Sequence, residues 1–272
     1  MEIPISDQEF ELFRAYIYQV AGIALNENKA SLVQGRLSKR LRELGYASFA
    51  EYYDYILKDE AEAWRLISAI STNVTSFFRE ESQWQYLAEY LHEFRAKKHT
   101  KRLRIWSSAC SSGEEPYSIA MFLAEQLPDF SEWDIKILAT DISIDVLRRA
   151  KRGIYPHKSV ESLPLPLLNK YFHRISEGNS HHYAILEEIK SKIIFRIFNL
   201  IRGDFSLFNK PFDMIFCRNV MIYFDPPSQQ ALISRFARLL QSGDLLLVGH
   251  SEALTKHRDD FLPLKQSIYK KV

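Results

Sequence analysis

Along the first hundred residues, apolar side chains recur at three- and four-residue spacing. Phe10, Phe13, Ile17 and Val20 form one stripe. Ser6 and Glu9 stand before it at capping-box spacing, and the stripe stops near Gly22. Val33, Leu37, Leu41 and Leu44 form a second stripe, on a helix over about 26–44 that ends at Gly45. Two shorter helices are expected over about 49–57 and 60–71, and another over 81–95. Between the last two, Thr72-Asn73-Val74-Thr75-Ser76-Phe77-Phe78-Arg79-Glu80 breaks the helical period and reads as a structured turn. By itself it is also what a capping turn with a buried Phe pair looks like.

From Leu103 the pattern changes. Short apolar runs at 103–107, 135–140, 193–198, 212–217, 245–249 and 267–271 alternate with helical stripes at 117–127, 144–152 and 229–240. Alternation of this kind implies a parallel sheet with helical crossovers. The polar, basic stretch Lys97-Lys98-His99-Thr100-Lys101 separates the two patterns. It divides the chain into a helical domain over 1–96 and a sheet domain over 97–272. The stretch 153–192 is too long for a simple connection. It holds a Pro-broken helix around Leu165 to Phe172, then hairpin material: Phe172-His173-Arg174-Ile175, a turn at Glu177-Gly178-Asn179, and His182 to Leu186. The expected fold is α/β, an open Rossmann-like sheet with an all-helical N-terminal domain and a small inserted β-subdomain.

Composition narrows the classes. With 272 residues and 46% apolar content the chain supports a substantial core, and a net charge of +2 does not by itself point to nucleic acid. Cys110 and Cys217 form no Cys-x-x-Cys and no Cys/His ligand spacing, so a reducing, cytoplasmic setting is expected, without disulfide or structural zinc. His181 and His182 are adjacent, point to opposite sides of a strand and lack a third ligand, so no metal is expected. The N-terminus lacks a basic region followed by an apolar one, and no apolar run approaches the ~18 residues of a membrane span.

The most informative stretch is Trp106 to Ser118, a strand followed by a turn of small residues (Ser107-Ser108-Ala109-Cys110-Ser111-Ser112-Gly113) and a helix with Pro116 in its first turn. Small side chains let a ligand approach the backbone at the helix N-terminus. Glu114 and Glu115 argue against a pyrophosphate, which they would repel, and suit a cofactor with cationic groups and hydroxyls. Asp141 ends the second strand, the position from which an acid hydrogen-bonds ribose hydroxyls. Taken alone, the stretch is equally an ordinary turn with solvated acids. Lys29, Arg36, Lys39 and Arg40 fall within roughly a 100° arc of their helix, with no acid between 29 and 42. That face suits an acidic partner, or is simply solvated.

Taken together, five segments are identified as those of the CheR-type chemotaxis receptor methyltransferases. They are Thr72 to Arg79, Ser112 to Ser118, Ala139-Thr140-Asp141-Ile142, Ile215 to Phe224, and Gly249-His250-Ser251-Glu252, in the family's order. The resemblance covers essentially the whole chain. It implies a class I methyltransferase sheet that uses S-adenosylmethionine to esterify glutamate side chains of methyl-accepting chemoreceptors, in signal transduction and receptor adaptation. By motif match, Asn73, Thr75, Arg79, Glu115, Asp141, Asn199, Leu200, Arg218 and Asn219 line the cofactor site. Arg79 and Tyr223 are expected to hold the acceptor carboxylate, and Asp141 to serve the catalytic site; Tyr223 beside Phe224 is also readable as a core aromatic. Lys29, Arg36, Lys39 and Arg40 would meet the acidic receptor bundle. Arg174 matches one arginine of the hairpin with which some relatives grip a receptor tail. Ile175 and His181 stand near that motif's glycines and Ala184 near its second arginine, so a tail-independent enzyme is expected.

The enzyme is expected to act as a monomer, with no nucleic acid as partner and no direct insertion into a membrane. A methyltransferase with a nucleic acid or another signalling protein as acceptor stays open at this point. Arg218-Asn219-Val220-Met221 is not the Asn-Pro-Pro-Tyr type used on the amino groups of bases. A non-catalytic adaptor would be expected to have lost motif residues that are all present. The Gly-x-Gly-x-Gly turn of many class I methyltransferases is absent, with only Gly113 left of it.

Overall fold

The computed structural model describes residues 3–97, 100–177, 180–254 and 259–272. Lys98 and His99 of the expected linker, and Gly178 and Asn179 of the expected hairpin turn, lie outside the described residues.

Five helices come first: α1 (Asp7–Ala21), α2 (Ala30–Leu44), α3 (Phe49–Ile56), α4 (Glu60–Ile70) and α5 (Glu81–Lys97). The capping box at α1 is formed. The Ser6 hydroxyl accepts the Glu9 N–H at 3.3 Å, and the Glu9 carboxylate accepts the Ser6 N–H at 2.9 Å. Gly22 and Gly45 close α1 and α2 in the left-handed conformation. The stripes predicted from spacing are buried together: Phe10, Phe13 and Ile17 of α1 meet Val33, Leu37 and Leu41 of α2, with Leu66 and Ile67 of α4.

Then come β1 (Arg102–Ser107), α6 (Glu114–Gln126), β2 (Asp134–Asp141), α7 (Ile144–Arg152), β3 (Ile154–Pro156), α8 (His157–Val160), α9 (Leu165–Tyr171), β4 (Phe172–Glu177), β5 (Ser180–Ile185), α10 (Glu187–Lys190), β6 (Ile193–Ile197), β7 (Phe212–Cys217), α11 (Pro226–Leu239), β8 (Leu240–Val248), β9 (Phe261–Lys265) and β10 (Ile268–Lys271). Seven strands form one sheet in the order β6-β2-β1-β7-β8-β10-β9. The pairs from β6 to β8 are parallel, and β10 runs antiparallel to both β8 and β9. The inserted subdomain is a second, antiparallel sheet, β3-β5-β4.

The expected boundary at 96 and 97 sits differently in the packing. The buried cluster of the first helices ends at Ile70, while α5 buries Trp84, Leu87 and Leu91 in the core of the sheet. By burial, the helical unit is α1 to α4, and α5 belongs to the layer covering the sheet. Strand β9 was not expected; Pro263 interrupts its apolar pattern, which an edge strand tolerates.

The strand order reverses beside β1, so the crevice for a ligand opens at the carboxyl ends of β1 and β7. The chain leaving α1 lies across that edge. Ile23 bridges Phe224, and the Ala24 N–H donates to the Tyr223 carbonyl at 2.8 Å. Gly22 is required at the crossing: its φ is +70°, and a Cβ there would stand 2.5 Å from the Ile201 side chain. Among the described residues, no helix is long and apolar enough to cross a membrane.

Candidate active site

The crevice is a cavity of about 340 Å³, within the size range of small-molecule sites. Its walls come from the carboxyl ends of β1, β2 and β7, the loop after β6, the turn between α4 and α5, and the segment after α1. Asn73, Thr75, Arg79, Glu115, Asp141, Asn199, Leu200, Arg218, Asn219 and Tyr223 all line it, as does Lys29. Residues as far apart in sequence as Lys29 and Tyr223 are thus brought into one cleft.

Asp141 is anchored by its backbone surroundings. One carboxylate oxygen accepts the Ser111 N–H at 2.8 Å and the other the Ser143 N–H at 2.9 Å. Burial pushes its carboxyl above the ordinary range, and these donors work against that shift. The turn that carries Ser111 is held too. The Cys110 N–H donates to the Thr140 carbonyl at 2.8 Å, and the Ser111 hydroxyl to the Asn73 carbonyl at 3.1 Å. Gly113 has φ +101°, and a Cβ there would lie 2.8 Å from the Tyr155 hydroxyl, so the turn admits only glycine.

Helix α6 begins at Glu114, so both acids lie inside its first turn and both are buried. Glu115 accepts the Ser107 hydroxyl at 2.7 Å and pairs with Arg218 at 3.2 Å. Burial raises its carboxyl, against the pull of Arg218. The same guanidinium pairs with Glu80 at 3.1 Å and donates to the Arg79 carbonyl. Burial would raise Glu80 also, but the Arg218 charge and the His250 N–H outweigh it and hold Glu80 low. Arg218, itself buried, therefore clamps the 72–80 turn onto the sheet. That turn is a demanding one. Phe78 and Glu80 have φ of +50° and +63°, and the Phe78 N–H is held by the Ser118 hydroxyl at 2.9 Å.

Two acids that sequence reasoning did not single out complete the frame. Glu80 is one. Glu252 is the other: it is buried and accepts the N–H groups of Asn219 and Gly249 at 2.7 Å each and that of Ile222 at 3.2 Å. Glu252 lies in a segment that carried the family resemblance and Glu80 directly follows one, and that was the available signal.

One expectation needs correction. The guanidinium groups of Arg36 and Arg40 are not free on the helix surface but engaged within the helical unit. Arg36 donates to the carbonyls of Ala69, Ile70 and Ser71, closing the C-terminus of α4. Arg40 makes two bonds, at 2.7 and 2.6 Å, to the buried carboxylate of Glu62. Only Lys29 and Lys39 of the four remain exposed, and Lys39 stands 3.8 Å from Glu43. Asn199 lines the cavity and also ties the loop after β6 to α1: its amide donates to the Val20 carbonyl at 2.7 Å, and its carbonyl accepts the N–H groups of Ile201 and Arg202. Arg174 is exposed on β4 of the inserted subdomain, beside the His181 ring. Arg79 lines the cavity while one of its N–H groups donates to the Val74 carbonyl at 3.1 Å.

A seven-stranded sheet with one antiparallel strand next to its edge, a cleft at the parallel strands' carboxyl ends, and an acid closing β2 without a glycine-rich phosphate turn define an S-adenosylmethionine-dependent methyltransferase. The chain belongs to the CheR family: residues 73–270 match the CheR methyltransferase SAM-binding domain, and residues 8–71 the CheR methyltransferase all-alpha domain. It is similar to Chemotaxis protein methyltransferase 2 of Pseudomonas aeruginosa, 42% identical over 92% of this chain and 88% of the relative. The chemotaxis protein methyltransferase of Klebsiella aerogenes is 38% identical over 98% of this chain and 90% of the relative. That of Escherichia coli is 37% identical over 98% and 92%.

Proposed function

We propose that this methyltransferase esterifies glutamate side chains of the cytoplasmic signalling domains of methyl-accepting chemoreceptors. The observation that carries the reading is one cleft that combines an anchored acid, a carboxylate-rich frame and an arginine at its wall, in a chain related over nearly its full length to chemotaxis methyltransferases.

The residues present fit the cofactor. Asp141 offers carboxylate lone pairs to ribose hydroxyls. Glu80 and Glu115 share the single guanidinium of Arg218, which leaves negative charge beside the cleft, suited to a sulfonium and an ammonium. Asn73 and Thr75 from the 72–80 turn, Leu200 from the loop after β6, and Asn219 after β7 complete the cofactor walls. When bound, S-adenosylmethionine supplies an activated methyl group. The acceptor glutamate, with a solution pKa of ~4.3, is already an anion at neutral pH. No residue is needed as a base. What the protein must do is align that carboxylate and exclude water. In this reading Arg79 and Tyr223, both at the cavity wall, hold it, and Asp141 orients the cofactor.

The test is incubation with purified receptor signalling fragments and S-adenosylmethionine, followed by mapping of methylated residues by mass spectrometry. Methyl esters confined to glutamates support the reading. Methylation of another residue type, or of nucleic acid only, overturns it. Arg79→Ala and Tyr223→Phe should each lower turnover while S-adenosylhomocysteine still binds.

A further inference from the structure

The mouth of the cleft is lined in part by exposed apolar side chains. Val74 is 76% exposed and Ile222 is 51% exposed, and both line the cavity. Single exposed apolar residues are ordinary. These two stand on separate segments of one cavity's wall, and each adjoins residues assigned above to the chemistry: Val74 lies between Asn73 and Thr75, and Ile222 beside Tyr223.

Both are presented by backbone that is fixed from behind. The Val74 carbonyl accepts from Arg79, and the Ile222 N–H is held by the buried carboxylate of Glu252. Lys29 lines the same cavity, is exposed, and has no ion-pair or hydrogen-bond partner for its ammonium among the described residues. The neighbouring cations of α2 are not equivalent, because Arg36 and Arg40 are bound inside the helical unit.

We propose that Val74, Ile222 and Lys29 form the docking rim for the acceptor protein. The occupant is the receptor segment that carries the target glutamate. Its apolar residues seat on Val74 and Ile222, and Lys29 meets its acidic charge. This rests on the glutamate-methylating reading above. The chemistry of the rim suits such a segment. Apolar contact expels water around a carboxylate that must be desolvated to react, and an unpaired cation draws an anionic segment inward.

The experiment uses the full chain with Val74→Asp, Ile222→Asp and Lys29→Glu. Initial rates are measured against receptor-fragment concentration, and S-adenosylhomocysteine affinity by calorimetry. Val74→Asp and Ile222→Asp should lower kcat/KM for the receptor by about tenfold or more while cofactor-product affinity stays within about twofold. Lys29→Glu should lower it as well, with the deficit narrowing as salt is raised. Unchanged kcat/KM overturns the rim. So does a parallel loss of S-adenosylhomocysteine affinity, which would make these residues part of the cofactor wall. If the unaltered enzyme binds S-adenosylhomocysteine but methylates no receptor fragment, the functional reading falls, and the rim with it.

Discussion

The buried carboxylate of Glu252 accepts the backbone N–H of Asn219 at 2.7 Å and thereby holds a residue whose φ is +58°. The same carboxylate binds Gly249 and Ile222, so one side chain joins the loop after β8 to the loop that carries Tyr223. Removing it strands buried N–H groups. Glu252→Ala should destabilise the protein by roughly 2–3 kcal/mol and lower methyl transfer. Glu252→Gln, which keeps one acceptor, should recover part of both. Thermal unfolding and turnover, measured on the same samples, check this.

Arg218 holds two acids at once. Arg218→Met leaves Glu80 and Glu115 buried and uncompensated, a loss of about 3–5 kcal/mol at neutral pH. The pH dependence has a definite sign. Glu80 is held low in the intact protein, so its stabilising contribution is present above the unfolded carboxylate pKa and is lost on acidification through the folded one. In the variant both acids shift upward, and protonation relieves them. The stability gap between variant and unaltered protein should therefore be smaller at pH 5 than at pH 7.5. A gap that widens on acidification contradicts the clamp.

Asp141 is predicted to bind cofactor hydroxyls in its ionised form. Asp141→Asn should weaken S-adenosylhomocysteine by roughly 10- to 100-fold. Because burial raises the Asp141 carboxyl, affinity in the unaltered enzyme should fall with decreasing pH before ordinary surface carboxylates titrate. The asparagine variant should lack that fall. Calorimetry across pH measures both.

On the basic helix, structure and surface separate cleanly. Arg40→Ala removes the main partner of the buried Glu62 and should cost about 3 kcal/mol of stability. Lys39→Ala, which loses an exposed pair at 3.8 Å, should stay within about 0.5 kcal/mol. Chemical denaturation of the two variants distinguishes them.

These contrasts show where the sequence was legible. The β1–turn–α6 unit is local, and small residues, Pro116 and helical spacing reveal it without tertiary knowledge. The same holds for the capping box at Ser6 and for Asp141 at the end of β2. Periodicity also located the basic face of α2. It could not show that Glu62, 22 positions away on another helix, would claim Arg40. The roles of Glu80 and Glu252 were hidden for the same reason: their partners lie 138 and 33 positions away, and a carboxylate's backbone donors leave no trace in side-chain spacing. The polar linker after α5 marks a change of pattern, whereas burial of Trp84, Leu87 and Leu91 decides which core the helix joins.

The most direct measurement is transfer of labelled methyl from S-adenosylmethionine to purified chemoreceptor signalling fragments, at low and high salt, with and without their C-terminal tails. Base-labile label on glutamates, weakened by salt and indifferent to the tail, is the predicted result. Absence of label on every receptor fragment, from enzyme that binds S-adenosylhomocysteine tightly, would contradict it.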